Sequence, residues 1–128
     1  MDCPHCETTA VPFAVPADVR AHAPDGSDRA AICPTCLRVY PTDEDASNPD
    51  FSRIGDFFPG GEAGATAALL LGLLDSLALN RAAIETLCAR AERAGADPLL
   101  LLDRLTAADV DPHFDLERRR VQLEGSLE

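Results

Sequence analysis

The 128 residues carry 22 carboxylates against 11 basic side chains, all of them arginine, for a net charge of −11. Such a balance disfavours a nucleic-acid partner, because phosphate binding runs on clustered positive charge. A 46% hydrophobic fraction allows one ordinary core in a chain of single-domain length. The longest uncharged run, residues 63–74, has twelve residues and is too short to span a bilayer.

Fourteen of the acids are aspartate and lysine is absent. A surface of that kind keeps a protein hydrated in molar salt, so a salt-loving source is expected. At 1 M salt the Debye length is about 3 Å, and partners must then be recognised by burial and close contact. Met1 and Asp2 leave no room for a signal peptide before the first cysteine. A soluble, cytoplasmic protein with reduced thiols is therefore expected.

The chain opens on CPHC, residues 3–6, which is both a redox dithiol motif and half of a zinc site. A second pair, CPTC at residues 33–36, follows after 26 residues. Two CxxC turns supply the four soft ligands of a tetrahedral zinc, and each aims backbone N–H groups at its sulfurs. The redox reading needs a strand before the motif and a long helix after it. Neither is expected around position 3, and that reading leaves CPTC unexplained. Structural Zn²⁺ on Cys3, Cys6, Cys33 and Cys36 is the better account, ahead of a dithiol or an iron centre. His5 sits inside the first turn and is read as exposed and non-ligating.

Between the pairs, the alternation in residues 11–15 predicts a strand with prolines marking its edges. Residues 16–22 predict one helical turn, and Pro24-Asp25-Gly26-Ser27 a tight turn. Residues 29–32 lead into the second knuckle and residues 37–40 leave it as a short strand. After an acidic, turn-rich stretch at 42–49, Phe51, Ile54, Phe57 and Phe58 predict apolar anchors that cap the core.

Pro59-Gly60-Gly61 marks the change to helix. No proline interrupts residues 62–94, and Gly95 supplies a stop. Leu69, Leu70, Leu73, Leu74 and Leu77 share a face at 100° per residue, and Ile84, Leu87, Cys88 and Ala91 fall on it when the count continues. That match predicts one helix of about 50 Å at 1.5 Å per residue, with Asn80 the place for a kink or a hairpin. Cys88 lies in this stripe as a small buried hydrophobe. Asp97-Pro98 caps and opens a helix over 99–106. Asp111-Pro112 breaks the chain again, and Asp115 caps a last helix carrying Arg118, Arg119 and Arg120. These arginines are expected to pair with acids and suit the helix dipole rather than clamp phosphate.

The segments CPHC, VPFAVPADVR, CPTCLRVYP, GLLDSLALNRAAIETL, GADPLLLLDRL and DLERRRVQLE together resemble a family of small haloarchaeal zinc-ribbon proteins. The resemblance covers nearly the whole chain and implies a halophilic archaeal source, but no activity. The knuckles are also similar to the zinc ribbons of the transcription and translation machinery. Those usually have glycine after the second cysteine, where Glu7 and Leu37 stand here.

The expected fold is therefore α+β: a zinc ribbon over 1–50, a linker with apolar anchors over 51–61, and a helical region over 62–128 with one long helix and two shorter ones. No Ser/His/Asp set, phosphate-binding loop or HExxH motif occurs, and Gly60-Gly61 lacks the strand and lysine of a nucleotide site. Asp103 and Glu117 read as solvated helix positions. A non-catalytic zinc-binding adaptor that binds another protein is the leading expectation, and a nucleic-acid-associated regulator the alternative. Leucines along a protruding helix, with Leu71 and Leu79 on a second face, predict a homodimer or hetero-complex through the helical half.

Overall fold

In the structure, a computed structural model that describes the backbone of residues 2–127 and side chains through residue 125, a small sheet precedes four helices. Strands β1 (Val11–Ala14), β2 (Arg29–Ile32) and β3 (Val39–Pro41) form an antiparallel sheet in the order β1-β2-β3. Val11 and Phe13 turn inward and are fully buried, while Ala14 is exposed, as the two-residue period of a strand requires. Pro12 has no N–H to give and lies on an edge strand, where none is needed. Central β2 buries Ala30, Ala31 and Ile32, with Val11 opposite Ile32 on one side and Ala30 opposite Pro41 on the other. Two 3₁₀ turns, Ala17–His22 and Pro24–Gly26, join β1 to β2. The expected α+β class is the observed one.

The single long helix is not. Residues 62–94 form two helices, α1 (Gly61–Leu73) and α2 (Arg81–Arg93), folded into an antiparallel hairpin. A 3₁₀ turn, Leu74–Ser76, ends the first, and Asn80 starts the second with φ −109°. The Asn80 side chain donates to the Ser76 carbonyl at 3.1 Å, closing the connection on itself. Phase continuity misled because α1 has no face: residues 63–71 are all buried. A helix apolar all round is a core helix, and any phase matches it. The hairpin buries Leu69, Leu70, Leu74, Leu77, Ile84 and Leu87 within one chain. Leu71 is buried too, so the second apolar face inferred from it is core, whereas Leu79, at the hairpin tip, is exposed. The protruding helix from which an oligomer was inferred is therefore absent.

Helices α3 (Pro98–Thr106) and α4 (Leu116–Leu127) complete the fold. Gly95 takes φ +100°, the left-handed turn that closes α2. The carboxylates of Asp97 and Asp115 accept from the backbone N–H groups of Leu100 and Arg118, each at 3.1 Å, as N-caps do.

One core cluster runs through all three expected stretches, joining Phe13 and Ile32 of the sheet, Phe51 and Phe58 of the connector, and leucines of the helices through Leu123 of α4. The terminal residues 1 and 128 of those stretches lie outside the described residues. Phe51 is the hinge of this packing, with ring centroids 5.8 Å from Phe13 and 5.2 Å from Phe58. Polar ties reinforce it. Arg90 of α2 donates to Asp18 in the first 3₁₀ turn and to Glu62 of α1, each at 2.7 Å, and holds the Asp18 carboxyl below its ordinary range. Among the described residues no helix is long and apolar enough to cross a membrane.

Candidate metal centre

Both CxxC turns follow the same backbone course. Glu7 N–H donates to the Cys3 carbonyl at 2.8 Å, and Leu37 N–H donates to the Cys33 carbonyl at 2.9 Å. Cys3 N–H and Cys33 N–H then reach the carbonyls of Thr8 and Arg38. Each turn needs a left-handed residue after its second cysteine, and Glu7 (φ 58°) and Leu37 (φ 64°) adopt it without being glycine. Left-handed backbone costs a non-glycine residue roughly 1–2 kcal/mol. At Leu37 complete burial of the side chain in the main core offsets this. N–H···S geometry survives: Cys36 N–H lies 3.5 Å from the Cys33 sulfur, and the His5 and Cys6 N–H groups point at the Cys3 sulfur.

The first knuckle precedes β1 and the second is the β2–β3 connection, so antiparallel pairing of β1 with β2 brings the two turns to one end of the sheet. The four sulfurs of Cys3, Cys6, Cys33 and Cys36 all lie within 4.8 Å of one another. A tetrahedron with metal–sulfur bonds of about 2.3 Å has edges of about 3.8 Å. Cys3 and Cys36 are 3.7 Å apart, so the near contact joins one pair to the other. All four are free thiols. The donor set fits a tetrahedral, sulfur-ligated ion with no open position. His5 is exposed and outside the cluster.

Burial would push the Cys3 thiol up, but the Tyr40 hydroxyl 3.5 Å away, the N–H groups of the turn and Cys36 together bring it down to about 6. Burial, with Cys36 and Cys33 beside it, pushes Cys6 up to about 12. Cys33 is also raised, chiefly by burial. Arg38 is bound to Cys36, which raises the guanidinium further and places a positive charge beside the sulfurs. A divalent ion held by these four sulfurs would replace the protons of the thiols, with Tyr40 and Arg38 placed to stabilise the anionic sulfurs from outside.

A third element closes the site. From the loop between α3 and α4, Asp111 N–H donates to the Thr35 carbonyl at 2.8 Å and His113 N–H to the Cys36 carbonyl at 2.9 Å. His113 Nδ1 lies 2.8 Å from the same Cys36 oxygen. The sequence offered Asp111-Pro112 only as a helix break. The DPHF stretch, with a histidine and a phenylalanine in a turn, is the signal that went unread.

The model of a family of unknown function (DUF6276) matches residues 2–127. The chain belongs to that family. No curated protein and no solved structure matches it. In this member of the family, Arg119 donates to Gln122 and to the Asp75 carbonyl, and Arg120 pairs with Asp103 and Glu124. Two of the three consecutive arginines therefore serve the fold, and Arg118 is exposed.

Cys88 lies far from this chemistry, fully buried in α2, where burial and then Glu92 and Glu85 push its thiol up to about 12. It should resist 5,5′-dithiobis(2-nitrobenzoate) at pH 8 in the native protein and react on unfolding. Rapid native-state labelling of Cys88, mapped by peptide mass spectrometry, would show the burial to be wrong.

Proposed function

We propose that this chain is a non-catalytic zinc-binding adaptor, with Cys3, Cys6, Cys33 and Cys36 holding one structural Zn²⁺. The convergence of the two cysteine pairs within 4.8 Å carries the reading. Zinc suits it best among the ions that accept four thiolates, because a closed, redox-silent tetrahedron matches a cluster in which Cys3, Cys33 and Cys36 are at most 3% exposed. A centre so enclosed leaves no position for a substrate, which favours structure over catalysis. The centre's part is to hold the sheet against the helices and so fix the shape of the surface a partner meets.

The partner is taken to be another protein. The surface is acidic, with 22 carboxylates against 11 arginines, and Arg29, Arg53, Arg90, Arg119 and Arg120 are engaged by groups of this chain, which disfavours phosphate. The aspartate-rich, lysine-free composition supports a halophilic source, the resemblance to haloarchaeal zinc-ribbon proteins an archaeal one, and a cytoplasmic setting goes with thiols kept reduced for metal. Affinity capture in molar KCl, with and without nuclease, tests this reading through mass spectrometry of what is retained. A defined protein that stays bound after nuclease is the expected result. Recovery through nucleic acid alone would overturn it.

A further inference from the structure

The α3–α4 pair is held to the rest of the fold by its leucines and by a small set of polar ties. Helix α4 packs chiefly on α3, and α3 meets α2 at few residues. Leu101, Leu102, Leu105 and Leu123 insert into the core, with Leu99, Val110, Phe114 and Leu116 packed against it, and the polar ties of the pair include Arg119 to the Asp75 carbonyl and its own loop to the second knuckle. That loop tie is the most concentrated of these: three hydrogen-bond contacts of 2.8–2.9 Å converge on two adjacent carbonyls, Thr35 and Cys36. The Cys36 carbonyl accepts from both the backbone and the ring of His113, which uses both of its lone pairs. Phe114, edge-on to His113 at 5.0 Å, packs against the core beside it.

Thr35 and Cys36 present these oxygens only while the CPTC turn is folded. The turn keeps its own backbone bonds and the buried Leu37, but it loses its cross-link to the first knuckle once the sulfurs lose their common ligand. We propose that the second knuckle is a latch for α3 and α4: its folded state, set by metal occupancy, decides whether the pair stays docked. Where metal sets that state, the inference rests on the zinc reading given above. Undocking uncovers Leu102, Leu105 and Leu123, which are at most 1% exposed, and so changes the surface offered to a partner. His113 is a positioning residue in this device. It lies outside the four-cysteine cluster and acts through the Cys36 carbonyl.

Hydrogen exchange of the full chain, read segment by segment by mass spectrometry, tests the latch. Zinc-loaded protein is compared with chelator-treated protein, with the C33S/C36S variant, and with zinc-loaded H113A and H113N. Chelation should speed exchange over residues 109–123 by about tenfold or more while residues 63–71 stay protected. H113A should keep its zinc yet exchange several-fold faster over the same segment, and H113N, which restores a side-chain N–H donor, should recover. Unchanged exchange over 109–123 after chelation of zinc-bearing protein overturns the proposal. So does simultaneous loss of protection in 63–71, which would mean global unfolding. If the wild type holds no metal but C33S/C36S still exposes 109–123, the zinc reading fails and the latch stands.

Discussion

Replacing Cys36 with serine should abolish tight metal binding and melt the three-stranded sheet, while most of the helical signal remains. Serine offers zinc a protonated oxygen in place of a thiolate, so three sulfurs are left to hold the ion. Structural zinc contributes on the order of 10–16 kcal/mol in small zinc-binding peptides, as large as the whole stability of a typical domain. The strands here have four, four and three residues and cannot stand alone without that contribution. Helices α1 and α2 pack mainly on each other, so their hairpin outlasts the sheet in a looser form. Circular dichroism with segment-resolved exchange reads both halves. A C36S protein that keeps zinc and a protected β2 would count against the metal as the organiser of this half.

Gly64→Ala should destabilise the chain, although alanine is the better helix former by about 1 kcal/mol. A Cβ at Gly64 would stand 2.3 Å from the Pro59 carbonyl oxygen and 2.7 Å from the Phe51 ring. The oxygen belongs to backbone and the ring is locked between Phe13 and Phe58, so neither yields cheaply. Overpacking of this kind costs about 1–3 kcal/mol, and the severity of the contact places it at the upper end. Gly125→Ala in α4 is the control, since nothing lies within 4 Å of its added Cβ. It should gain stability, by up to about 1 kcal/mol. Thermal unfolding should therefore separate the two variants in opposite directions about the wild type. Equal midpoints for G64A and wild type would show that α1 does not pack this closely.

The four-cysteine cluster was legible because its information is local. Four cysteines in two CxxC pairs specify their own turns, and antiparallel pairing of the strands between them does the rest. Strand β1, both 3₁₀ turns, the Asp97 and Asp115 caps and the Gly95 stop were readable for the same reason. The hairpin was legible only as the alternative to one long helix. Its break is made by Asp75, Ser76 and Asn80, ordinary residues inside a stretch free of proline, and the reason to break is tertiary: α1 must be covered on every side. The latch was hidden more deeply still, because His113 meets Cys36 across 77 residues and backbone carbonyls leave no trace in composition. The role of Leu37 likewise depends on where its side chain goes, which a turn rule favouring glycine does not contain.

X-ray absorption at the zinc edge, on protein purified without added metal and quantified for zinc, tests the central claim most directly. One zinc per chain with four sulfurs at about 2.3 Å is the predicted result. A chain without metal, or one whose zinc is ligated by nitrogen or oxygen in place of any of the four sulfurs, would contradict it.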